Sequence, residues 1–329
     1  MKLIELDNLS DILLDKIRRR SGHHFNLMRL ASALKVTSDD ITQAVKRLCE
    51  VGYDIKTDKE NRPAFINAPD SFFPAEIQYG LKTKMLGHNI HAFRKVQSTN
   101  TTAHQLADNK APDGTLVISE IQTKGRGRMG RSWHSIENVG LYCSIILYPK
   151  INPNIAPGLS LITAVALAET IAKYENLDIG VKWPNDVLIS GKKTAGILTE
   201  LSAEFGRTHF VIIGVGVNIN HRKKDFPEEL RGKTTSLRLM LKQNIRRVEF
   251  LQKFLLNLET EYFVFKNAGL AGVRKKILRF SSLINKEITL KMGRKSISGR
   301  VIDINESGQL VMETKDGIRL FYAGEVSSH

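Results

Sequence analysis

The stretch from Lys124 to Trp133, K-G-R-G-R-M-G-R-S-W, constrains the fold of this 329-residue chain more than any other. Its centre, G-R-G-R-M-G, satisfies G-x-G-x-x-G, which in a doubly wound α/β protein is the turn between a strand and a helix whose N-terminus holds a pyrophosphate. A strand-like run from Thr115 to Ile121 does precede it. After Gly130 the chain reads R-S-W-H-S-I-E-N-V-G, which lacks a 3.6-residue apolar period and carries a glycine just before the next strand. No helix stands ready to receive a phosphate, and Leu147 to Ile151 contains no acid to hold a ribose hydroxyl, so a doubly wound dinucleotide fold is excluded. There remains a glycine loop bearing Arg126, Arg128 and Arg131 beside Lys124. Glycines let such a loop fold over a ligand, and guanidinium groups fork onto phosphate oxygens. Trp133 adds a ring suited to stacking on a nucleobase. An anion-binding lid is the functional reading, with a solvated basic loop as the plainer alternative.

Around this loop the apolar pattern changes period. Residues 1–66 have helical spacing, in the sets Ile12, Leu13 and Ile17, then Leu27, Leu30, Ala31 and Leu34, then Ile41, Ala44, Val45 and Leu48. Thr37 and Ser38 are N-cap candidates for the third helix, with Asp39 and Asp40 in its first turn and Gly52 at its end. Y-D-I-K-T-D and R-P-A-F-I around the turn D-K-E-N make a hairpin. Helix, helix, turn, helix, hairpin is the outline of a winged helix-turn-helix. Residues 67–84 read as a linker and a connecting helix, with Pro74 as its first residue. Over 85–280, strand-like segments lie at Ala92 to Val96, Thr115 to Ile121, Leu141 to Tyr148, Gly180 to Trp183, Val187 to Ile189, Ala195 to Leu201 and Phe210 to Val217. They outnumber the helices, the longest being an amphipathic one over Leu159 to Tyr174, so the sheet is expected to be mixed. Residues 281–329 return to short alternating runs of the size of a five-strand SH3-like barrel. The fold class is α+β.

Composition sets outer limits. With 42% hydrophobic residues the chain can bury a sizeable core in two or three domains. The apolar runs Leu161 to Ala168 and Phe210 to Val217 fall short of the roughly 20 residues that span a bilayer. The N-terminus carries acids where a signal peptide would be basic. A cytoplasmic protein with no membrane partner is the expectation. Cys49 and Cys143 lie in unrelated segments without C-x-x-C spacing, which argues against a disulfide framework or a thiolate zinc site, and both are expected as buried thiols. A net charge of +15 suggests a nucleic-acid partner. Yet residues 1–90 hold 14 Lys and Arg against 12 Asp and Glu, whereas residues 222–300 hold 20 against 7. The excess lies away from the helical unit.

Three more stretches carry polar groups suited to chemistry. Q-S-T-N at Gln97 to Asn100 sits where a strand gives way to a helix, which places hydroxyls and amides at a helix N-terminus. Gln122 ends the strand leading into the arginine loop. V-K-W-P-N-D-V-L-I-S-G-K-K-T-A-G-I-L forms a polar corner from Lys182 to Asp186, then turns at Ser190-Gly191 into a strand bearing Lys192 and Lys193. Neighbours on a strand alternate sides, so one lysine of the pair should face a ligand and the other water.

Taken together, S-T-N at 98–100, G-R-G-R-M-G-R-S-W at 125–133, K-W-P-N-D at 182–186, G-K-K-T-A-G-I-L at 191–198 and G-V-G-V-N-I-N at 214–220 resemble the biotin–protein ligase family. T-S-L at 235–237 and the closing G-E-V at 324–326 resemble the same family, and the winged-helix outline of the N-terminus resembles that of its bifunctional ligase/repressor members. The resemblance implies a class II synthetase-like central domain that makes biotinyl-5′-AMP from biotin and ATP with Mg²⁺. Biotin then passes to one lysine of a carboxyl-carrier domain, such as that of acetyl-CoA carboxylase. It implies a biotin site of Ser98, Thr99, Asn100, Gln122, Arg126, Gly127, Arg128 and Lys193, with Lys193, Arg126 and Arg128 in the chemistry. It implies ATP and adenylate contacts at Gly125, Trp133, Lys182, Asn185, Asp186 and Asn218, with Asp186 near the metal. A lipoate-type ligase is the alternative chemistry, disfavoured by the arginine loop.

Bifunctional members also repress biotin-synthesis genes as dimers, which implies operator DNA and a second copy of the chain as partners. Arg29, Thr42, Lys46 and Arg47 would be the DNA contacts. The presumed recognition helix opens S-D-D-I-T-Q, however, and carboxylates there repel phosphates while remaining able to accept from cytosine amino groups. Operator binding and a structural or dimer-supporting role for the N-terminal unit both stand at this point.

Overall fold

The computed structural model describes residues 3–60 and 62–328. The last residue of the D-K-E-N turn, and residues 1, 2 and 329 of the expected terminal units, lie outside them. Helices α1 (Asn8–Arg18), α2 (Leu27–Leu34) and α3 (Ser38–Glu50) pack around a small core of their own, closed by the antiparallel pair β1 (Asp54–Thr57) and β2 (Pro63–Asn67). A capping box starts α3: Asp40 N donates to Thr37 Oγ1 at 3.1 Å and Thr37 N donates to the Asp40 carboxylate at 2.9 Å. Ile41, Ala44, Val45 and Leu48 form its buried face, as the spacing predicts. Two expectations fail here. In α1, Leu14 is buried with Leu13 and Ile17, while Ile12 is 43% exposed. Cys49 is exposed, because it comes after Leu48 by about 100° around the helix. Cys143 is buried in the central sheet, and burial pushes its thiol up to about 12.

The short helix α4 (Pro74–Gln78) begins at Pro74. The central region then runs β3 (Ile90–Val96), α5 (Thr99–Asp108), β4 (Leu116–Gln122), β5 (Leu141–Leu147), α6 (Gly158–Ile171), β6 (Ile179–Lys182), β7 (Asp186–Ile189), β8 (Lys192–Glu204) and β9 (Arg207–Val217). Its seven strands lie in the order β3-β4-β5-β9-β8-β7-β6. β3 and β4 are parallel and every other neighbouring pair is antiparallel, which makes the sheet mixed. Helices α7 (Leu237–Leu241), α8 (Arg247–Ala268) and α9 (Arg274–Phe280) come next. The chain ends in β10 (Glu287–Met292), β11 (Lys295–Ile304), β12 (Leu310–Thr314), β13 (Gly317–Phe321) and β14 (Glu325–Ser328), an antiparallel sheet ordered β13-β12-β11-β10-β14.

One face of the central sheet buries Ile145, Ile197, Val215 and Val217 in the main core with α6 and α8. The other face buries Val117, Ile146, Phe210 and Ile212 with Ala103 and Ala107 of α5. Helix α6 is not amphipathic: twelve of its fourteen residues are buried, since α8 and the strands leave it no solvent side. Its apolar length is that of a core helix. Along β9 the α5 side reads Phe210, Ile212, Gly214, Gly216. The sheet therefore loses its side chains where the N-terminus of α5 begins, and a cleft opens there.

Two buried polar groups tie these layers. Arg247, the first residue of α8, has a side chain 1% exposed. Its Nη1 donates to Glu120 Oε2 at 2.6 Å and to Gly140 O at 3.2 Å, its Nε donates to Asp70 Oδ2 at 3.2 Å, and its Nη2 donates to Asp70 O. Glu120 also accepts from Phe72 N at 3.2 Å. His221, just beyond β9, is fully buried beside the Tyr142 hydroxyl at 3.1 Å and stacks on Phe226. Burial lowers its pKa to about 4.

Arg247→Ala leaves Glu120 buried without its cation, and a loss of about 3–5 kcal/mol in urea unfolding is expected. Arg94→Ala, at the exposed pair with Glu137, should lose less than about 1 kcal/mol; similar losses in the two variants would refute the contrast. For His221 the unfolded state takes up a proton near pH 6.5 while the folded state waits until about 4. Stability from this group is therefore present above pH 6.5 and lost as pH falls through that window, on the order of 3 kcal/mol in full. His221→Gln should flatten this part of the stability–pH curve, and an unchanged slope would count against the assignment.

Candidate functional site

The cleft lies above the β9 glycines. Ser98, Thr99 and Asn100 line it from the start of α5, Gln122 from the end of β4, Arg126, Gly127, Arg128 and Trp133 from the arginine loop, and Asn185 and Lys193 from the lysine hairpin. Its floor is made by glycines on adjacent strands, Gly196 of β8 opposite Gly216 of β9, with Gly214 opposite Leu198. A Cβ on Gly214 would lie 2.0 Å from Asn100 Oδ1, and one on Gly216 would lie 2.4 Å from Trp133 Cε2. Only glycine permits these approaches.

At the α5 end the polar groups form a chain. Gln122 Oε1 accepts from Thr99 N at 2.8 Å and from Thr99 Oγ1 at 3.2 Å. The Ser144 hydroxyl reaches both Thr99 Oγ1 (2.8 Å) and Asn100 Oδ1 (2.6 Å). Asn100 Nδ2 donates to Glu200 Oε2 at 2.7 Å. A ligand entering here meets hydroxyls and amides whose orientations are already set.

The arginine loop is a compact hairpin. Gly127 N donates to Arg131 O at 2.7 Å and Trp133 N to Gly125 O at 2.8 Å, with the reversal at Met129 (φ 54°) and Gly130 (φ 73°). Gly125 does not line the cleft; a Cβ there would stand 2.7 Å from Trp133 O, so it closes the base of the hairpin. Arg126 Nη2 lies 2.9 Å from Glu200 Oε2, Arg128 Nη1 donates to Asn185 Oδ1 at 2.8 Å, and Arg131 pairs with Glu325 of β14. Burial lowers the pKa of Arg128, yet a guanidinium in a protein stays charged. Trp133 lies over the glycine floor with its Nε1–H buried and without an acceptor among the described residues. A buried donor left unpaired costs stability, and an acceptor on a bound ligand would relieve it.

Across the cleft, Lys192 is exposed and Lys193 turns inward, as alternation requires. Lys193 Nζ lies 2.8 Å from Asp186 Oδ1 and 5.5 Å from the Trp133 ring centre. Asp186 thus meets the cleft through Lys193 without lining it. Lys182 is its cross-strand partner at the end of the β6–β7 hairpin, also outside the lining. Asn218 is 4% exposed and donates to Thr235 O at 3.1 Å, fastening residues 233–235 alongside Lys193, whose N donates to Lys233 O and whose O accepts from Thr235 N. No three His, Cys, Asp or Glu side chains converge on one point among the described residues. Ser144 and Glu200 were not singled out from the sequence, and the three floor glycines stood there only inside family-like motifs without a role in the site. The alternation G-V-G-V at 214–217 is the signal that could have found Gly214 and Gly216, whereas Ser144 and Glu200 have none.

Residues 92–218 match the Biotin/lipoate A/B protein ligase family, and residues 283–328 match the Biotin protein ligase C terminal domain. The bifunctional ligase/repressor BirA of Bacillus subtilis is 35% identical over 308 residues, 93% of this chain and 95% of that protein. BirA of Escherichia coli is 31% identical over 93% of this chain and 94% of its own length. A solved biotin protein ligase from Aquifex aeolicus in complex with biotin and ATP superposes with a TM-score of 0.64 at 31% identity, covering 74% of this chain and 99% of that one. On the strength of these full-length likenesses and the two domain matches, the chain belongs to the biotin protein ligase family.

Proposed function

We propose that this protein is an ATP-dependent biotin–[acetyl-CoA-carboxylase] ligase that forms biotinyl-5′-AMP and passes biotin to a lysine of a carrier domain. The observation that carries the reading is the convergence of Arg126, Arg128 and Lys193 on one glycine-floored cleft under Trp133. It is supported by the relative from Mycobacterium tuberculosis named biotin–[acetyl-CoA-carboxylase] ligase, 31% identical over 78% of this chain. In the reaction the biotin carboxylate attacks the α-phosphate of ATP and pyrophosphate leaves. Charge on the phosphoryl oxygens needs cations positioned beforehand. One such charge about 4 Å away contributes roughly 4 kcal/mol at an effective dielectric of 20.

In this reading Ser98, Thr99, Asn100 and Gln122 hold the biotin ring end through their preset hydrogen-bond chain. Lys193, Arg126 and Arg128 meet the carboxylate and phosphate, Trp133 stacks on adenine, and Asn185 positions Arg128. Asp186 fixes Lys193, while Lys182, Gly125 and Asn218 act by holding the hairpins in place. Mg²⁺ would be held mainly by ATP phosphates and water, with Asp186 as its protein carboxylate. The closed loop then keeps water from the mixed anhydride. Residues 1–66 form a winged helix-turn-helix, 67–84 a linker with its helix, 85–280 the catalytic domain and 281–329 an SH3-like barrel.

A second activity, operator binding, is favoured by the likeness to ligase/repressors extending through the N-terminal unit. Thr42 and Lys46 lie on the exposed face of α3 and Arg29 is exposed on α2, although Arg47 is paired with Asp7 at 2.9 Å and Asp40 is held in the capping box.

Biotin-dependent pyrophosphate exchange with ATP tests the ligase; exchange with lipoate in place of biotin would overturn it. Lys193→Ala should lose exchange by at least about 100-fold, the scale of one preorganised charge. Arg128→Gly should still form adenylate but release it early, read as loss of retained labelled adenylate. For the second activity, a gel shift on a biotin-operon promoter should require biotin and ATP and weaken with salt. A promoter that stays unshifted at low salt would leave the N-terminal unit structural.

A further inference from the structure

Glu200 lies on the cleft side of β8, in step with Gly196 and Leu198, with a side chain 26% exposed. Its Oε2 accepts from two donors: Arg126 Nη2 of the arginine loop at 2.9 Å and Asn100 Nδ2 of α5 at 2.7 Å. One carboxylate oxygen therefore joins the loop to the polar chain that runs from Asn100 through Ser144 and Thr99 to Gln122.

We infer that Glu200 is a positioning residue for the ligase reaction, holding the Arg126 guanidinium at the cleft wall and fixing the amide orientation of Asn100. This rests on the ligase reading for its kinetic consequence but not for its structural one. Asn100 can face its neighbours in two ways, and the pair of acceptors Glu200 Oε2 and Leu198 O on the Nδ2 side selects the one that leaves Oδ1 for the Ser144 hydroxyl. That selection matters because Asn100 Oδ1 sits directly against the Gly214 floor, where no other residue leaves room. Arg126 has no other side-chain acceptor among the described residues, so its placement before ligand arrives depends on this carboxylate. Charge-assisted bonds of this length are the stronger kind, and two donors on one oxygen order both segments at once. When a ligand carboxylate or phosphate enters, Arg126 can exchange partners while Asn100 remains held, so the same group prepares the loop and then releases it.

The loop reports its own order, since trypsin cuts after arginine and the hairpin carries Arg128 and Arg131. In ligand-free protein, Glu200→Ala should raise the rate of cleavage after these residues roughly tenfold, about 1.4 kcal/mol of lost local order. The melting temperature should be nearly unchanged. In pyrophosphate exchange, Glu200→Ala should raise KM for biotin by about the same factor and leave KM for ATP within about twofold. Glu200→Gln, which keeps an acceptor but loses the charge, should fall between. Arg126→Ala combined with Glu200→Ala should raise KM for biotin by much less than the product of the single effects, the sign of coupled residues. Unchanged cleavage, or a KM effect that multiplies fully in the double variant, would overturn the inference. Absence of biotin-dependent exchange in the unsubstituted protein would overturn the ligase reading instead, and the cleavage arm would still decide the role of Glu200.

Discussion

The buried guanidinium of Arg247 is the interaction on which the arrangement of the other parts depends. It gathers Asp70 from the linker after the N-terminal unit, Glu120 from β4, Gly140 ahead of β5 and the first turn of α8 into one polar knot. A charge taken out of water is tolerated only when its partners are close and its remaining donors are satisfied. Here two carboxylates, two carbonyls and the face of Phe72 surround it. Because Glu120 lies two residues before Gln122, the knot also sets the end of β4 from which the cleft's first acceptor projects. The N-terminal unit is bound into the same region through Glu76 of α4, which accepts from Arg18 at 2.9 Å and from the Tyr53 hydroxyl at 2.8 Å. Linker, sheet end and helical unit thus share a polar seam, and a shift in one moves the donors and acceptors of the next.

That seam was not legible in the sequence, and the reason is physical. Periodicity reports which face of an element is apolar, so the third helix, every strand of the central sheet and the opposed directions of Lys192 and Lys193 could be read from spacing. An arginine at the start of a helix in a basic stretch looks the same whether it is solvated or buried. What distinguishes Arg247 is a carboxylate 127 residues away in the chain. The same holds for Glu200, whose partners are 74 and 100 residues away. A few of the basic residues of 222–300 find acids in the same way: Arg274 binds Asp303 through both its oxygens, Lys276 lies between Glu169 and Glu261, and Arg300 meets Glu313. The misread Ile12 and the largely buried α6 are failures of a related kind, since each depends on which neighbour covers a face that the local pattern leaves open.

The arginine loop, which by its letters could have been a dinucleotide fingerprint, shows how the site manages its own charge. Arg126, Arg128, Arg131 and Lys193 are each matched to an internal acceptor: Glu200, Asn185, Glu325 and Asp186. Four cations left unmatched on this loop and the lysine hairpin would repel each other and hold the loop away from the glycine floor. Pairing them folds the loop before any ligand binds, which lowers the ordering cost that binding must meet. It also sets a selectivity condition. A small anion that offers a single acceptor group can displace one internal acceptor and leaves the others in place. A ligand presenting an acyl carbonyl and a phosphate close together can engage the loop and the lysine hairpin at once, with a ring on Trp133 and no side chain to clear from Gly196, Gly214 and Gly216. On the proposed ligase reading an acyl-adenylate has that combination, and free ATP lacks an acyl end to meet the hydroxyls and amides of α5.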